Sequence, residues 1–140
     1  MKHKIIHLFS YTTLFLAFSL ILTALSWLLY PYNPADIRFT NKVLTPELRA
    51  GEMLEYEMDF CKYTDKPTYI SKKIENGIVI PLSPVVSTYG KGCAKPIIGI
   101  SLPKFLSPGT YKVSGLATYD VNPIRQVNIP FETETFEVIE

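Results

Sequence analysis

The sequence is poor in the residues that most often do chemistry. Its two histidines, His3 and His7, both fall near the amino end, so the chain beyond them has no imidazole. That removes the commonest general base and the commonest zinc ligand, and with them any Ser-His-Asp arrangement. G-x-S-x-G, Walker A, G-x-G-x-x-G and H-E-x-x-H runs are missing as well, which leaves no recognised nucleotide, nucleophile or metallohydrolase motif. We therefore expect no enzyme, no cofactor and no metal site.

Charge of one sign is also lacking. Once Lys2 and Lys4 are set aside, 12 basic residues face 13 acidic ones. No cluster is basic enough to follow a phosphate backbone, so no nucleic-acid partner is expected. There is one tryptophan, Trp27, and there are two cysteines, Cys61 and Cys93. Two cysteines in an exported domain read as a disulfide, and in a cytosolic one as buried thiols. Disorder is excluded by a hydrophobic content of 47% and an aromatic content of 13%, since such a chain has enough apolar surface to bury.

The longest absence of charge is the informative one. From Ile5 to Tyr30 there is no Lys, Arg, Asp or Glu, and the next charge after Lys4 is Asp36. As a helix this run is about 39 Å long at about 1.5 Å per residue, enough to cross a hydrocarbon core of about 30 Å. Lys2 and Lys4 precede it and no positive charge follows until Arg38, so the positive-inside rule keeps the amino end cytoplasmic. Trp27, Tyr30 and Tyr32 suit the far interface, and Pro31 and Pro34 stop the helix. The competing reading is a cleaved leader. Ala24-Leu25-Ser26 has the spacing of a cleavage site, but the run is far longer than the usual apolar core of a signal peptide, about 7–15 residues. Ser19 and Thr23 form a small-xxx-small pair of the kind that supports helix association.

These signals divide the chain into a cytoplasmic tail (1–4), a membrane anchor (5–30), a linker (31–36) and a β-domain (37–140). Within the last, short apolar segments are punctuated by Pro and Gly. Seven strands are expected. The first runs from Ile37 to Val43, with Ile37 and Phe39 on one face. The second, from Leu54 to Cys61, puts Leu54, Tyr56, Met58 and Phe60 on one side and Glu55, Glu57, Asp59 and Cys61 on the other. Thr68–Glu75 and Ile78–Leu82 flank Asn76-Gly77, a pair suited to a type I′ turn. Pro96, Ile98, Ile100 and Leu102 alternate inward in the fifth strand. Tyr111, Val113, Ala117 and Tyr119 share a face of the sixth, and Asn122-Pro123 turns the chain into the last. There the apolar parity changes between Phe131 and Phe136, which calls for a β-bulge near 130–135.

Seven strands at this spacing resemble an immunoglobulin-like or fibronectin type III β-sandwich. The sharpest likeness is Leu106-Ser107-Pro108-Gly109-Thr110-Tyr111, which resembles a tyrosine corner and implies that Tyr111 bonds back to the preceding backbone. The core tryptophan of antibody domains is absent, and the cysteines are placed differently. In an immunoglobulin-like order the second and fifth strands are neighbours, which implies a Cys61–Cys93 staple at the end of the domain. The layout also resembles short membrane-anchored proteins of phage, prophage and bacteria. That likeness is carried by YPYNP (30–34), YEMDFCKYTDKP (56–67) and YDVNPIRQV (119–127), and it implies architecture without an activity.

The carboxylates Glu55, Glu57 and Asp59 form a row suited either to Ca²⁺ or to a solvated strand face. The loop 83–92 carries Val85, Val86 and Tyr89, which either bind a partner or plug the end of the sandwich. Tyr63, Tyr89 and Arg125 are the candidate contact residues. With the linker spanning at most about 20 Å, the end of the domain bearing them is expected to face the membrane and another membrane or envelope protein. The expected function is thus a non-catalytic, membrane-anchored interaction or assembly module. The alternatives are a secreted or virion-associated structural domain after leader cleavage, and a phage envelope factor that keeps other phage out or aids lysis.

Overall fold

A computed structural model describes the backbone of residues 2–29 and 32–140, with side chains from residue 11 onward. Tyr30 and Pro31, and so the expected helix stop at Pro31, lie outside the described residues. One helix, α1 (Lys2–Leu29), precedes a domain of strands. Its segment Tyr11–Leu29 has a mean hydropathy of 2.0 and is long and apolar enough to cross a membrane. Two helix hydroxyls are satisfied within the helix itself. Thr23 Oγ1 donates to Ser19 O at 2.9 Å and Ser26 Oγ to Thr23 O at 2.8 Å, which lets polar side chains sit in hydrocarbon. The turn Asn122–Arg125 forms one compact unit with this helix, and residues 33–121 and 126–140 form the other.

The β-domain is built from more and shorter strands than the seven expected. The first expected strand is two, β1 (Ala35–Ile37) and β2 (Thr40–Val43), followed by β3 (Glu47–Arg49). The second is also two, β4 (Met53–Glu57) and β5 (Phe60–Lys62). Then come β6 (Thr68–Asn76), β7 (Ile78–Pro81), β8 (Val85–Ser87), β9 (Gly92–Ala94) and β10 (Ile97–Ser101). The chain ends with β11 (Gly109–Asn122), β12 (Arg125–Thr133) and β13 (Phe136–Ile139). The domain therefore begins at Ala35, inside the expected linker.

Ten strands join in one sheet with a main path β10-β4-β2-β12-β11-β13-β3, and β6 pairs β11 while carrying β7 and β8. A second sheet has the order β1-β5-β9. Pairing is mixed: β12 with β2 and β13 with β3 are parallel, and β4 with β10 antiparallel. The core joins Leu54, Tyr56 and Met58 to Ile74, Ile100, Val113, Phe131, Phe136 and Val138. The alternation along β4 and β11 thus records burial faithfully.

Three local expectations are corrected. Phe39 does not share the inward face of Ile37; the strand breaks between them and Phe39 is 57% exposed. The hairpin after β6 is not type I′, because that turn needs two residues at positive φ. Gly77 has φ 63°, and no described non-glycine residue is positive. The acidic row does not lie on one strand, because β4 stops at Glu57 and Asp59 pairs with Lys95 at 2.9 Å. The parity change near the carboxyl end falls at Glu134 and Thr135, between β12 and β13, and brings Phe136 and Val138 inward after Phe131 and Thr133.

Candidate ligand-binding cavity

The break between β4 and β5 sets up the site. A single strand from Met53 to Lys62 would keep the whole segment in the core sheet, with Lys62 on the side of Leu54, Tyr56 and Met58. Instead the chain steps at Met58 and Asp59, and β5 joins the small sheet. Asn41 stabilises that step. Its side chain is fully buried, Nδ2 donates to Arg38 O at 3.0 Å and Glu132 O at 3.2 Å, and Oδ1 accepts from Asp59 N at 3.1 Å. One amide thereby satisfies the backbone where the β1–β2 and β4–β5 breaks interrupt the ladders.

Within the small sheet, Asp36 pairs Cys61 and Cys61 pairs Cys93 in register. The two cysteines form a disulfide that joins β5 to β9. Neither belongs to the core clusters, so the bridge staples the periphery. It fixes the strand from which Lys62 and Tyr63 emerge.

Above this sheet lies a cavity of about 290 Å³. Its walls are mainly apolar: Met58 and Phe60 from the stepped segment, Ile70 from β6, Ile98 from β10, and Tyr119 from β11. The segment 85–89 forms another wall. It is no bare loop, because β8 pairs with Thr68–Ile70 of β6, after which the chain crosses to β9 in the other sheet. Tyr89 packs edge-on against Phe60 with ring centroids 5.7 Å apart, yet Tyr89 is 50% exposed. Val85, Val86 and Tyr89 therefore line the cavity and are also exposed to solvent.

Two lysines enter this apolar space. Lys62 is 2% exposed, and its Nζ donates to Tyr89 O at 2.5 Å. Desolvation holds its pKa below the ordinary lysine value, against a smaller opposing pull from Asp65. Burial lowers the pKa of Lys72 in the same way; its side chain lines both this cavity and an adjoining surface groove. Burial also pushes the Tyr56 hydroxyl up to about 12. No Asp or Glu lines the cavity. By residue type alone Lys62 reads as a surface residue, because lysine is almost never fully buried unless paired. Its position nevertheless keeps the inward parity of Leu54, Tyr56 and Met58.

The residues singled out from sequence are distributed around this site. Tyr63 follows β5 and is 48% exposed, with its Oη donating to Asp36 Oδ2 at 2.6 Å. That bond and one from Asn33 hold the Asp36 carboxyl below its usual range. Tyr63 and Tyr89 thus both attach to β5, one beside its end and one against Phe60 and Lys62. Arg125 belongs to the unit of the helix, where its Nη1 lies 3.4 Å from Leu28 O. Tyr111 Oη donates to Ser107 O at 2.8 Å, closing the turn before β11. Glu55, Glu57 and Asp59 form no metal cluster among the described residues.

No protein-family model matches the chain, and no curated protein matches it. Among solved structures, it is similar to the alkylpurine DNA glycosylase AlkC of Pseudomonas fluorescens bound to DNA containing an abasic-site analog. The TM-score is 0.38 at 15% identity over 72% of this chain and 30% of that one. It is also similar to a β-glucosidase of Listeria innocua in complex with glucose, with a TM-score of 0.39 at 15% identity over 79% of this chain and 17% of that one. The chain spans less than a third of either protein, and similarity at this level carries no argument about activity.

Proposed function

We propose that the chain is a non-catalytic, single-pass membrane protein that displays a disulfide-stapled, immunoglobulin-like β-domain outside the cytoplasm, where it engages another membrane or envelope protein. The observation that carries this reading is the exposed apolar segment 85–89, held in place by strand pairing to β6 and by the Lys62–Tyr89 bond. A preformed apolar surface loses little conformational entropy on binding. Tyr63 and Tyr89 supply the large, rigid rings that dominate protein contacts. The linker, about 20 Å or less when extended, favours a partner embedded in the same membrane. The Tyr111–Ser107 bond supports the immunoglobulin-like assignment, since a tyrosine corner has that connectivity.

A photo-reactive amino acid at position 89, in the full chain in its own membrane, tests the reading. One discrete adduct of fixed mass is expected, and its yield should fall at least ten-fold with Val86→Asp. Adducts with lipid alone, or a yield indifferent to Val86→Asp, contradict it.

A further inference from the structure

An apolar cavity has no physical reason to contain an ammonium group unless something meets its charge. Lys62 has three N–H donors, and Tyr89 O is its acceptor among the described residues. The nearest acid, Asp65, is committed to Lys91, accepting from the backbone N at 3.2 Å and lying 3.3 Å from Nζ. Lys72 has no acceptor for its ammonium among the described residues. The cavity thus has positive charge on an apolar lining, with hydroxyls at Thr68, Ser87 and Thr88.

We propose that this cavity binds a small amphipathic carboxylate, with the carboxylate taken by Lys62 and Lys72 and the apolar part lying against Met58, Phe60, Ile70 and Ile98. The size of the ligand follows from the volume. A cavity of about 150 Å³ takes a benzene molecule, so about 290 Å³ accommodates about twelve non-hydrogen atoms at the same density. The head group follows from desolvation, because a monoanion gives up its hydration at far lower cost than a dianion such as phosphate. The depressed pKa values of both lysines agree with cations that lack a counter-charge. The site is independent of the protein-contact reading, since the ligand uses the inner face of segment 85–89 and a partner the outer face.

The test uses the full chain reconstituted in lipid nanodiscs, with empty nanodiscs as the blank. The probe is 4-(4-fluorophenyl)butanoate, followed by ¹⁹F NMR, and the corresponding alcohol is the neutral control. Saturable binding of the carboxylate is expected, at least ten-fold tighter than that of the alcohol. Lys62→Met should remove that preference while retaining the thermal unfolding midpoint, because an apolar isostere relieves a buried charge. Ile98→Phe, which fills the cavity, should weaken both ligands at least ten-fold. Equal affinity for acid and alcohol, or no saturable binding above the blank, overturns the proposal. If Lys62→Met does not fold, Lys72→Met replaces it, and an unchanged acid preference in that variant together with unchanged binding to Ile98→Phe overturns it equally.

Discussion

The β-domain contains two kinds of strand, and they teach different things. Along β4 and β11 the inward residues alternate without interruption: Leu54 and Tyr56 in one, Tyr111, Val113, Ala117 and Tyr119 in the other. Around β1, β2, β5 and β9 the chain is broken into pieces of three or four residues. The first region is held by apolar burial that its own periodicity specifies. The second is held by single groups at seams, namely the Cys61–Cys93 bridge and the Asn41 amide. The cavity opens where the two regions meet, with Met58, Phe60 and Lys62 lining it on either side of the step from β4 to β5.

Breaking the seams should therefore cost more than trimming a regular strand. The largest effect is expected from replacing both cysteines with serine. The bridge spans a sequence separation of 32, and the chain-entropy account gives a loss of about 3–4 kcal/mol for such a loop. Denaturant unfolding of oxidised wild type and the double variant measures it directly; a difference below about 1 kcal/mol would mean the small sheet is held by something else. Asn41→Ala comes next, at about 2–3 kcal/mol, since it removes three hydrogen bonds to part-buried backbone groups of Arg38, Glu132 and Asp59. Amide hydrogen exchange should accelerate at Asp59 first.

The regular strand is probed by pH. The Tyr56 hydroxyl is raised from 10.0 to about 12 by burial, so the neutral form is the one that folding favours. Its contribution is fully present below pH 10 and is lost as pH rises toward 12, by about 2–3 kcal/mol in all. Lys62 and Lys72, whose pKa values are lowered, act in the opposite sense. The difference between wild type and Tyr56→Phe isolates the tyrosine, and it should grow only above pH 10. The smallest effect is expected at the turn before β11. Tyr111→Phe removes the bond to Ser107 O and should cost about 1 kcal/mol.

The same contrast explains what was legible in the sequence. Periodicity reports burial, so the faces of β4 and β11 and the uncharged helix could be read from residue order alone. The Cys61–Cys93 bridge could be read from the cysteine count, since two cysteines in an exported domain read as a disulfide. Interruptions are different, because they depend on hydrogen-bond partners far away in sequence. Nothing near Asn41 announces that its amide serves Glu132, and Phe39 looks like a core residue until the strand breaks beside it. Lys62 was hidden for another reason: it shares the parity of Leu54, Tyr56 and Met58, but its charge makes a surface place the ordinary expectation.

The proposed function requires a retained anchor and an exported, oxidised domain. The intact mass of the protein recovered from its native membrane fraction, measured without reductant, tests both. The prediction is an uncleaved chain, two hydrogens lighter than the fully reduced form. A chain beginning just after Ser26, or one carrying two free thiols, would contradict it.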